Sequence, residues 1–212
     1  MKLDDINKIN KFPCFEKPEI TKNNPIHRLD PAIESYATDP AMGYQLNSCL
    51  RNSQKLLYPI YKLAKALDTL FYSEHSTTSA PIKVYRGISY IPTPGREGDV
   101  ENIKNILNCV NGETTFIDKG FVSTSTSLEV AKTFAGENGV VMEINLPAGT
   151  KYIDVFRSFS DADEYHRFAK TECEYLLPRN SKFKILGKSE NGIIKAEYMG
   201  EVFPKDALVC NI

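Results

Sequence analysis

The sequence predicts an α+β fold in which an N-terminal helical lobe packs on a two-layer, mostly antiparallel β-sandwich. Residues 1 to about 30 show no sustained period, but from Asp30 to Leu70 helix signals follow one another and apolar side chains recur at three- and four-residue spacing, which is typical of helices. From residue 82 onward, short segments alternate apolar and polar side chains and are separated by turns. Because the helices precede the strands, we expect a helical lobe over 1–80 and a β-rich core over 81–212, together forming one domain.

The composition is that of an ordinary globular chain. It has 212 residues, of which 42% are apolar and 25% charged, and this is enough for one domain with a full core. A formal net charge of -1 argues against nucleic acid as the main partner, because binding through phosphates needs a basic face.

The cysteines and the apolar runs suggest where the chain works. The five cysteines are scattered, with no Cys-x-x-Cys and no His at ligand spacing, which predicts reduced thiols and no metal site. No apolar run approaches the roughly 18 residues of a membrane span, and residues 1–5 lack the core of a signal peptide. We expect no membrane span, and a protein that is cytoplasmic or leaves its cell without such a signal.

Helix signals fill the first part of the chain. Asp30 before Pro31 predicts a capped helix through Tyr36, and Pro59 predicts the start of another. Leucine and isoleucine mark two helices, one at Leu46, Leu50 and Leu57 and the next at Ile60, Leu63, Leu67 and Leu70. Further along, residues 100–110 predict a short helix, and Thr126 with Glu129 predicts a capping box.

Strand signals fill the second part. Period-two alternation predicts strands over 82–87 and 140–146, and further strands are expected over 121–125, 152–155, 182–186 and 193–198. A further strand carries Glu172 and Glu174 at the mouth of an apolar run that ends at Pro178, which would place both carboxylates on one face. Neighbouring carboxylates raise each other's pKa, so the pair fits either a solvated strand end or a site that uses the charge.

Three pieces now stand in order: Arg86-Gly87 at the end of a strand, Phe-x-Ser-Thr-Ser over 121–125, and Glu-x-Glu over 172–174. Together they resemble the R-S-E pattern of the arginine-specific mono-ADP-ribosyltransferases, in the branch shared by clostridial-type toxins, phage transferases and vertebrate ecto-enzymes. The resemblance covers about 36–194 and includes Asn47 and Arg51 upstream and the Leu-Leu-Pro-Arg run downstream. It implies an ADP-ribosyltransferase-type fold.

The resemblance implies that NAD is consumed as a substrate, with release of nicotinamide through a transition state of oxocarbenium character. Glu174 would stabilise the developing positive charge, and Ser123 would orient Glu174. Arg86 would bind the NAD phosphate or ribose, and Gly87 would let the backbone approach the nicotinamide amide. The remaining hydroxyl residues of the strand, Thr124 and Ser125, would complete the cofactor site. No metal is implied.

Glu172 would choose the acceptor. Family members that modify arginine have Glu two residues before the catalytic Glu, whereas members that modify other acceptors have Gln at that position. A guanidinium stays protonated in water, so its use as a nucleophile needs a carboxylate that binds it and takes a proton. We therefore expect transfer of ADP-ribose to an arginine of a target protein.

The segment 156–170 corresponds to the loops that hold the cofactor and present the target. Phe156, Arg157 and Phe159 are candidates for NAD contact, and Tyr165 and Phe168 for contact with the target protein. These aromatic residues could equally pack the loop against the sheet.

Other functions stay open at this stage. An NAD glycohydrolase would use the same Arg86, Ser123 and Glu174 with water as acceptor, and a silent module would bind NAD or a partner without cleavage. A carboxylate-pair glycosidase is disfavoured because both acids are predicted on one strand face and the chain has no Trp. The setting expected from the resemblance is a bacterial effector or toxin, injected or exported without a signal, or a phage enzyme. An activating or inhibitory protein partner would fit that setting.

Overall fold

The computed structural model describes residues 30–73, 76–89, 97–111, 114–155, 171–202 and 210–211. Within them lie five helices: α1 (Pro31–Thr38), α2 (Pro40–Arg51), α3 (Tyr58–Ser73), α4 (Glu97–Asn111) and α5 (Leu128–Ala135). The strands are β1 (Leu56–Leu57), β2 (Ser76–Thr77), β3 (Ile82–Ile88), β4 (Thr115–Asp118), β5 (Val122–Ser125), β6 (Val140–Leu146), β7 (Lys151–Asp154), β8 (Glu174–Leu177), β9 (Ser181–Lys188), β10 (Ile194–Glu201) and β11 (Cys210–Asn211).

The helical lobe begins as predicted. Asp30 caps α1, where its side chain accepts a hydrogen bond from the Ala32 amide at 2.7 Å, and Asp39 caps α2 in the same way. The prediction that Leu57 continues the second helix is wrong. The helix ends at Arg51 and Ser53 has a φ of 55°, so the chain turns before Leu57 enters β1.

Nine of the described strands form one sheet, in the order β2-β7-β8-β5-β3-β6-β10-β9-β4. All its pairs are antiparallel except β6 with β10. Only one residue pair, Tyr85 opposite Ser125, joins β3 to β5. The sheet is therefore two half-sheets that meet at a narrow junction, β2-β7-β8-β5 on one side and β3-β6-β10-β9-β4 on the other.

Two apolar cores hold these layers together. One contains side chains of both half-sheets, including Tyr175 and Leu177 of β8 and Ile144 of β6, so the half-sheets face each other across it. The other contains the helical lobe together with Leu176 of β8 and Phe121. Successive residues of β8 thus point into different cores, as the pleat requires. The α+β sandwich with a helical lobe is confirmed.

Helix α5 lies unusually close to strand β3. A Cβ on Gly87 would overlap the Ala131 carbonyl of α5 and lie 2.7 Å from the Ala135 amide. The predicted cap of this helix is wrong by one residue: the side chain of Ser127, in place of Thr126, accepts from the Val130 amide at 3.4 Å. Ser127 has the extended backbone of an N-cap, so the capping box proposed for Thr126 does not form.

Two sequence-based expectations near β8 need correction. The strand starts at Glu174, while Glu172 lies in the preceding turn, where Cys173 has a φ of 48°. The two acids are therefore not on one strand face.

Cys173 is disulfide-bonded, whereas Cys49 and Cys109 are free thiols. The prediction of five reduced thiols fails because chain spacing does not show which thiols the fold brings together.

Candidate active site

A cleft opens where the helical lobe meets the junction of the two half-sheets. Its described lining comes from α1, α2, β3, β5, α5, the first residue of β8 and the turns before β5 and β8. The cleft brings together every described residue that the sequence analysis assigned to the site: Arg86, Gly87, Ser123, Thr124, Ser125, Glu172 and Glu174. Phe156, Arg157, Phe159, Tyr165 and Phe168 lie outside the described residues.

Glu174 is the most enclosed acid of the cleft, with only 5% of its surface exposed. Burial raises its pKa, because the charged form loses its water. A hydrogen bond from the Ser123 hydroxyl and the charge of Arg86 oppose that shift. The carboxylate therefore has one donor and one cation that favour its ionised form.

Arg86 points its guanidinium between the two half-sheets. Its Nη1 donates to the Ser123 carbonyl oxygen at 3.3 Å, and its Nη2 lies 3.3 Å from Asp118 Oδ2. The side chain is 8% exposed. Arg86 thus contacts the same residue, Ser123, that holds Glu174.

Asp118 joins Arg86 to a second guanidinium. Arg51, the last residue of α2, donates from Nε to Asp118 Oδ1 at 2.9 Å and from Nη2 to Asp118 Oδ2 at 3.2 Å. The Gly120 amide donates to the same Oδ1 at 3.0 Å. Asp118 could not be predicted from the sequence, because an isolated Asp at a strand end carries no signal of the partners that folding gives it.

A tyrosine and an asparagine complete the wall that the helical lobe contributes. Asn47 donates to the Tyr36 hydroxyl at 2.8 Å and accepts from the Phe121 amide at 2.8 Å. Burial raises the pKa of Tyr36, and the nearby charge of Glu174 raises it further. Tyr36 was missed as a cleft residue, while Asn47 was noted only through the resemblance.

The two hydroxyls that follow Ser123 bind the backbone of the acidic segment. Thr124 Oγ1 donates to the Tyr175 carbonyl oxygen at 2.6 Å, and Ser125 Oγ donates to the Glu172 carbonyl oxygen at 2.7 Å. The Thr126 amide adds a bond to the Cys173 carbonyl oxygen at 3.2 Å. These hydrogen bonds fix the turn that carries Glu172. Because both hydroxyls donate to the backbone, a contact between Thr124 or Ser125 and a cofactor stays a prediction.

Glu172 lies at the cleft from the turn before β8. Burial raises its pKa, and the neighbouring Glu174 carboxylate raises it further. Ionising both acids in one buried cleft is unfavourable, so at least one of them keeps its proton at pH values well above the ordinary pKa of a carboxyl group. The pair can therefore hold one negative charge and one protonated carboxyl, and the second group becomes a proton acceptor once it has ionised.

Gly87 has a packing reason to be glycine. Its missing side chain would point into α5. The predicted approach of its backbone to nicotinamide remains a prediction.

The described part of the chain contains no group of three His, Cys, Asp or Glu residues that could hold a metal ion. None of its helices is long and apolar enough to cross a membrane.

The fold is an α+β sandwich with a helical lobe, and an Arg, a Ser and a Glu come together at the junction of its half-sheets. This is the arrangement of an ADP-ribosyltransferase. The family model described as ADP-ribosyltransferase exoenzyme matches residues 19–201. The chain belongs to this family.

Solved structures with the same fold include three toxins or exoenzymes. Exoenzyme S from Pseudomonas aeruginosa, in complex with human 14-3-3 protein beta and bound to Carba-NAD, is 19% identical with a TM-score of 0.57, over 84% of this chain and 76% of that one. Plx2a, an ADP-ribosyltransferase toxin from Paenibacillus larvae, is 17% identical with a TM-score of 0.55, over 93% and 92%. C3stau2 from S. aureus, solved with NAD, is 20% identical with a TM-score of 0.51, over 94% and 97%. At these identities the likeness shows the fold. A search of curated protein sequences finds no match.

Proposed function

We propose that this ADP-ribosyltransferase transfers ADP-ribose from NAD to an arginine side chain of a target protein and releases nicotinamide. The observation that carries the proposal is the pair of acids in one cleft, with Glu174 held by Ser123 and Arg86 and with Glu172 two residues before it. The setting we propose is that of a bacterial effector or toxin, or of a phage enzyme.

The charges of the cleft suit NAD. Arg51 and Arg86 both line the cleft and share one buried carboxylate, Asp118. Guanidiniums held in this way suit an anionic ligand such as a diphosphate. Two of the similar structures were solved with NAD or Carba-NAD, which supports the same ligand class here.

Glu174 would act on the ribose. As the bond between ribose and nicotinamide breaks, positive charge develops on the ribose, and a fixed carboxylate stabilises it. Ser123 keeps this carboxylate oriented, and Arg86 favours its ionised form. Both contacts exist before NAD binds, so little reorganisation accompanies the reaction.

Glu172 would act on the acceptor. Its carboxylate lies at the cleft on a turn whose backbone carbonyls accept hydrogen bonds from the Ser125 hydroxyl and the Thr126 amide. It would bind the incoming guanidinium and accept its proton as the new bond to ribose forms. A bound guanidinium would also lower the pKa of Glu172, so the base would become available when the acceptor arrives.

The test measures nicotinamide release from NAD with and without agmatine, and ADP-ribosyl agmatine as product. Wild type should form the product, and Glu174→Gln should lose both activities. Glu172→Gln should lose transfer and keep most NAD cleavage. Glu197→Gln, on the exposed face of β10, is the matched control and should behave as wild type.

The outcomes separate the alternatives. NAD cleavage without transfer to agmatine or to any arginine of a protein extract would favour an NAD glycohydrolase. Transfer that survives Glu172→Gln would overturn the role of Glu172. NAD binding without nicotinamide release, even after addition of a host-cell extract to supply a protein activator, would favour a silent binding module.

A further inference from the structure

Asp118 contacts two guanidiniums that line the cleft, those of Arg51 and Arg86. It is 2% exposed, and both of its oxygens are engaged by the fork of Arg51, by Arg86 and by the Gly120 amide. It is not among the residues that line the cleft, whereas Arg51 and Arg86 are. Asp118 can therefore act on a bound ligand through the two arginines that it holds.

The three partners come from three different elements. Arg51 ends α2, Arg86 lies on β3 and Asp118 ends β4. Without the carboxylate, two buried guanidiniums would repel each other, and both side chains would turn toward other acceptors. The Asp118 carboxylate thus determines where both positive charges lie relative to the cleft.

Arg86 is positioned from two sides. Nη2 faces Asp118 at 3.3 Å, and Nη1 donates to the Ser123 carbonyl at 3.3 Å. The second contact is made to the residue whose hydroxyl holds Glu174. A shift of Arg86 toward another acceptor would therefore change both the anion-binding charge and the charge next to Glu174.

We propose that Asp118 is a positioning residue for NAD: it holds the guanidiniums of Arg86 and Arg51 as one unit at the cleft. The inference rests on the proposed use of NAD at this site. It does not depend on the acceptor being arginine.

The test compares Asp118→Asn with Asp68→Asn. Asp68 is the matched control because it also accepts a bidentate hydrogen bond from an arginine, Arg179, at 2.9 Å, but it lies outside the cleft. For Asp118→Asn, the KM and Kd for NAD should rise by roughly tenfold or more, as expected when a charged hydrogen bond is lost, while the KM for agmatine stays unchanged. Asp68→Asn should lose stability and keep the wild-type KM for NAD.

A second readout separates positioning from loosening of the fold. The groups that face Glu174 are Arg86 of β3, Ser123 of β5, Tyr36 of α1 and the neighbouring Glu172. Of these, Arg86 contacts Asp118, and Asp118→Asn removes the negative charge that offsets Arg86, so the cation next to Glu174 should act more strongly and move the acid limb of the activity profile to lower pH. Asp68→Asn should leave that limb in place.

A folded Asp118→Asn with the wild-type KM and Kd for NAD would overturn the proposal, as would an equal rise in Asp68→Asn. If Asp118→Asn does not fold, Asp118→Glu takes its place, because it keeps the charge and moves it by one methylene, and the same criteria apply. If wild type binds NAD without cleaving it, the proposed reaction fails while the Kd comparison still decides the role of Asp118. Wild type that neither binds nor cleaves NAD would overturn both.

Discussion

The Ser123 hydroxyl hydrogen-bonds the Glu174 carboxylate diagonally across two paired strands. Ser125 lies opposite Glu174, and Ser123 lies opposite Leu176, so Ser123 and Glu174 are diagonal neighbours on one face of the sheet. The contact therefore depends on the register of β5 with β8 and on no flexible loop. A slip of one residue would turn Ser123 to the opposite face.

Replacing Ser123 by Ala should slow nicotinamide release by roughly 10- to 100-fold, the effect of losing a hydrogen bond to a charged group. The hydroxyl lowers the pKa of Glu174, so its loss leaves less of the ionised form. Steady-state rates near neutral pH would measure the change. Ser79→Ala, on an exposed loop, is the control. A wild-type rate for folded Ser123→Ala would contradict this role.

The activity of wild type should fall with decreasing pH earlier than an ordinary carboxylate would require. The reaction needs ionised Glu174, and burial raises the pKa of this group above the usual value of about 4.3. The midpoint of the acid limb should therefore lie well above that value, and Ser123→Ala should move it higher still. A profile of nicotinamide release against pH tests this, and an acid limb centred near 4 would refute it.

The buried acid pair should make the fold less stable as pH rises. The pKa values of Glu172 and Glu174 are both higher in the folded chain than in the unfolded one. At a pH between the unfolded and the folded pKa, the folded state therefore binds more protons. Stability is then fully present below the unfolded pKa and is lost as pH rises through the folded pKa.

Glu172→Gln should reduce the dependence of the unfolding free energy on pH. At alkaline pH it should be more stable than wild type by on the order of 1–3 kcal/mol, at about 1.4 kcal/mol for each pKa unit removed. Near pH 4 the two proteins should be similar. Denaturant unfolding at several pH values measures the difference, with Glu197→Gln as the exposed control. If the unfolding free energies of wild type and Glu172→Gln change with pH in the same way, the buried acid pair does not destabilise the fold at alkaline pH.

Gly87→Ala should destabilise the protein by roughly 1–3 kcal/mol through overpacking. The added methyl would overlap the backbone of α5 at Ala131, and a helix backbone cannot move aside as a side-chain tip can. Thermal unfolding would measure the loss. Lys83→Ala on the same strand, whose side chain is 49% exposed, should cost far less. Equal losses would mean that α5 can shift without cost.

Local patterns predicted the helices and strands because the period of the apolar side chains is a property of the chain itself. The alternation over 140–146 is strand β6, and Asp30 with Pro31 begins α1 as expected. Patterns were less useful at boundaries. Thr126 and Ser127 are both good caps, and the backbone geometry at the turn selects Ser127.

The site was predictable only in part. Arg86, Ser123, Glu172 and Glu174 could be named because each belongs to a short motif with its own strand or turn. Asp118 and Tyr36 could not, because their contacts join residues far apart in the chain.

The sequence by itself determined the order of helices before strands, the alternation that sends neighbouring residues of β8 into two cores, and the presence of two acids two residues apart. Only the tertiary structure decided that Glu172 lies in a turn and not on the strand, that Cys173 is disulfide-bonded, and that Asp118 holds two arginines. Backbone periodicity is local, so it can be read along the chain. Burial, pKa and ion pairing depend on which distant groups the fold brings within a few ångströms, and the chain order alone does not contain that distance.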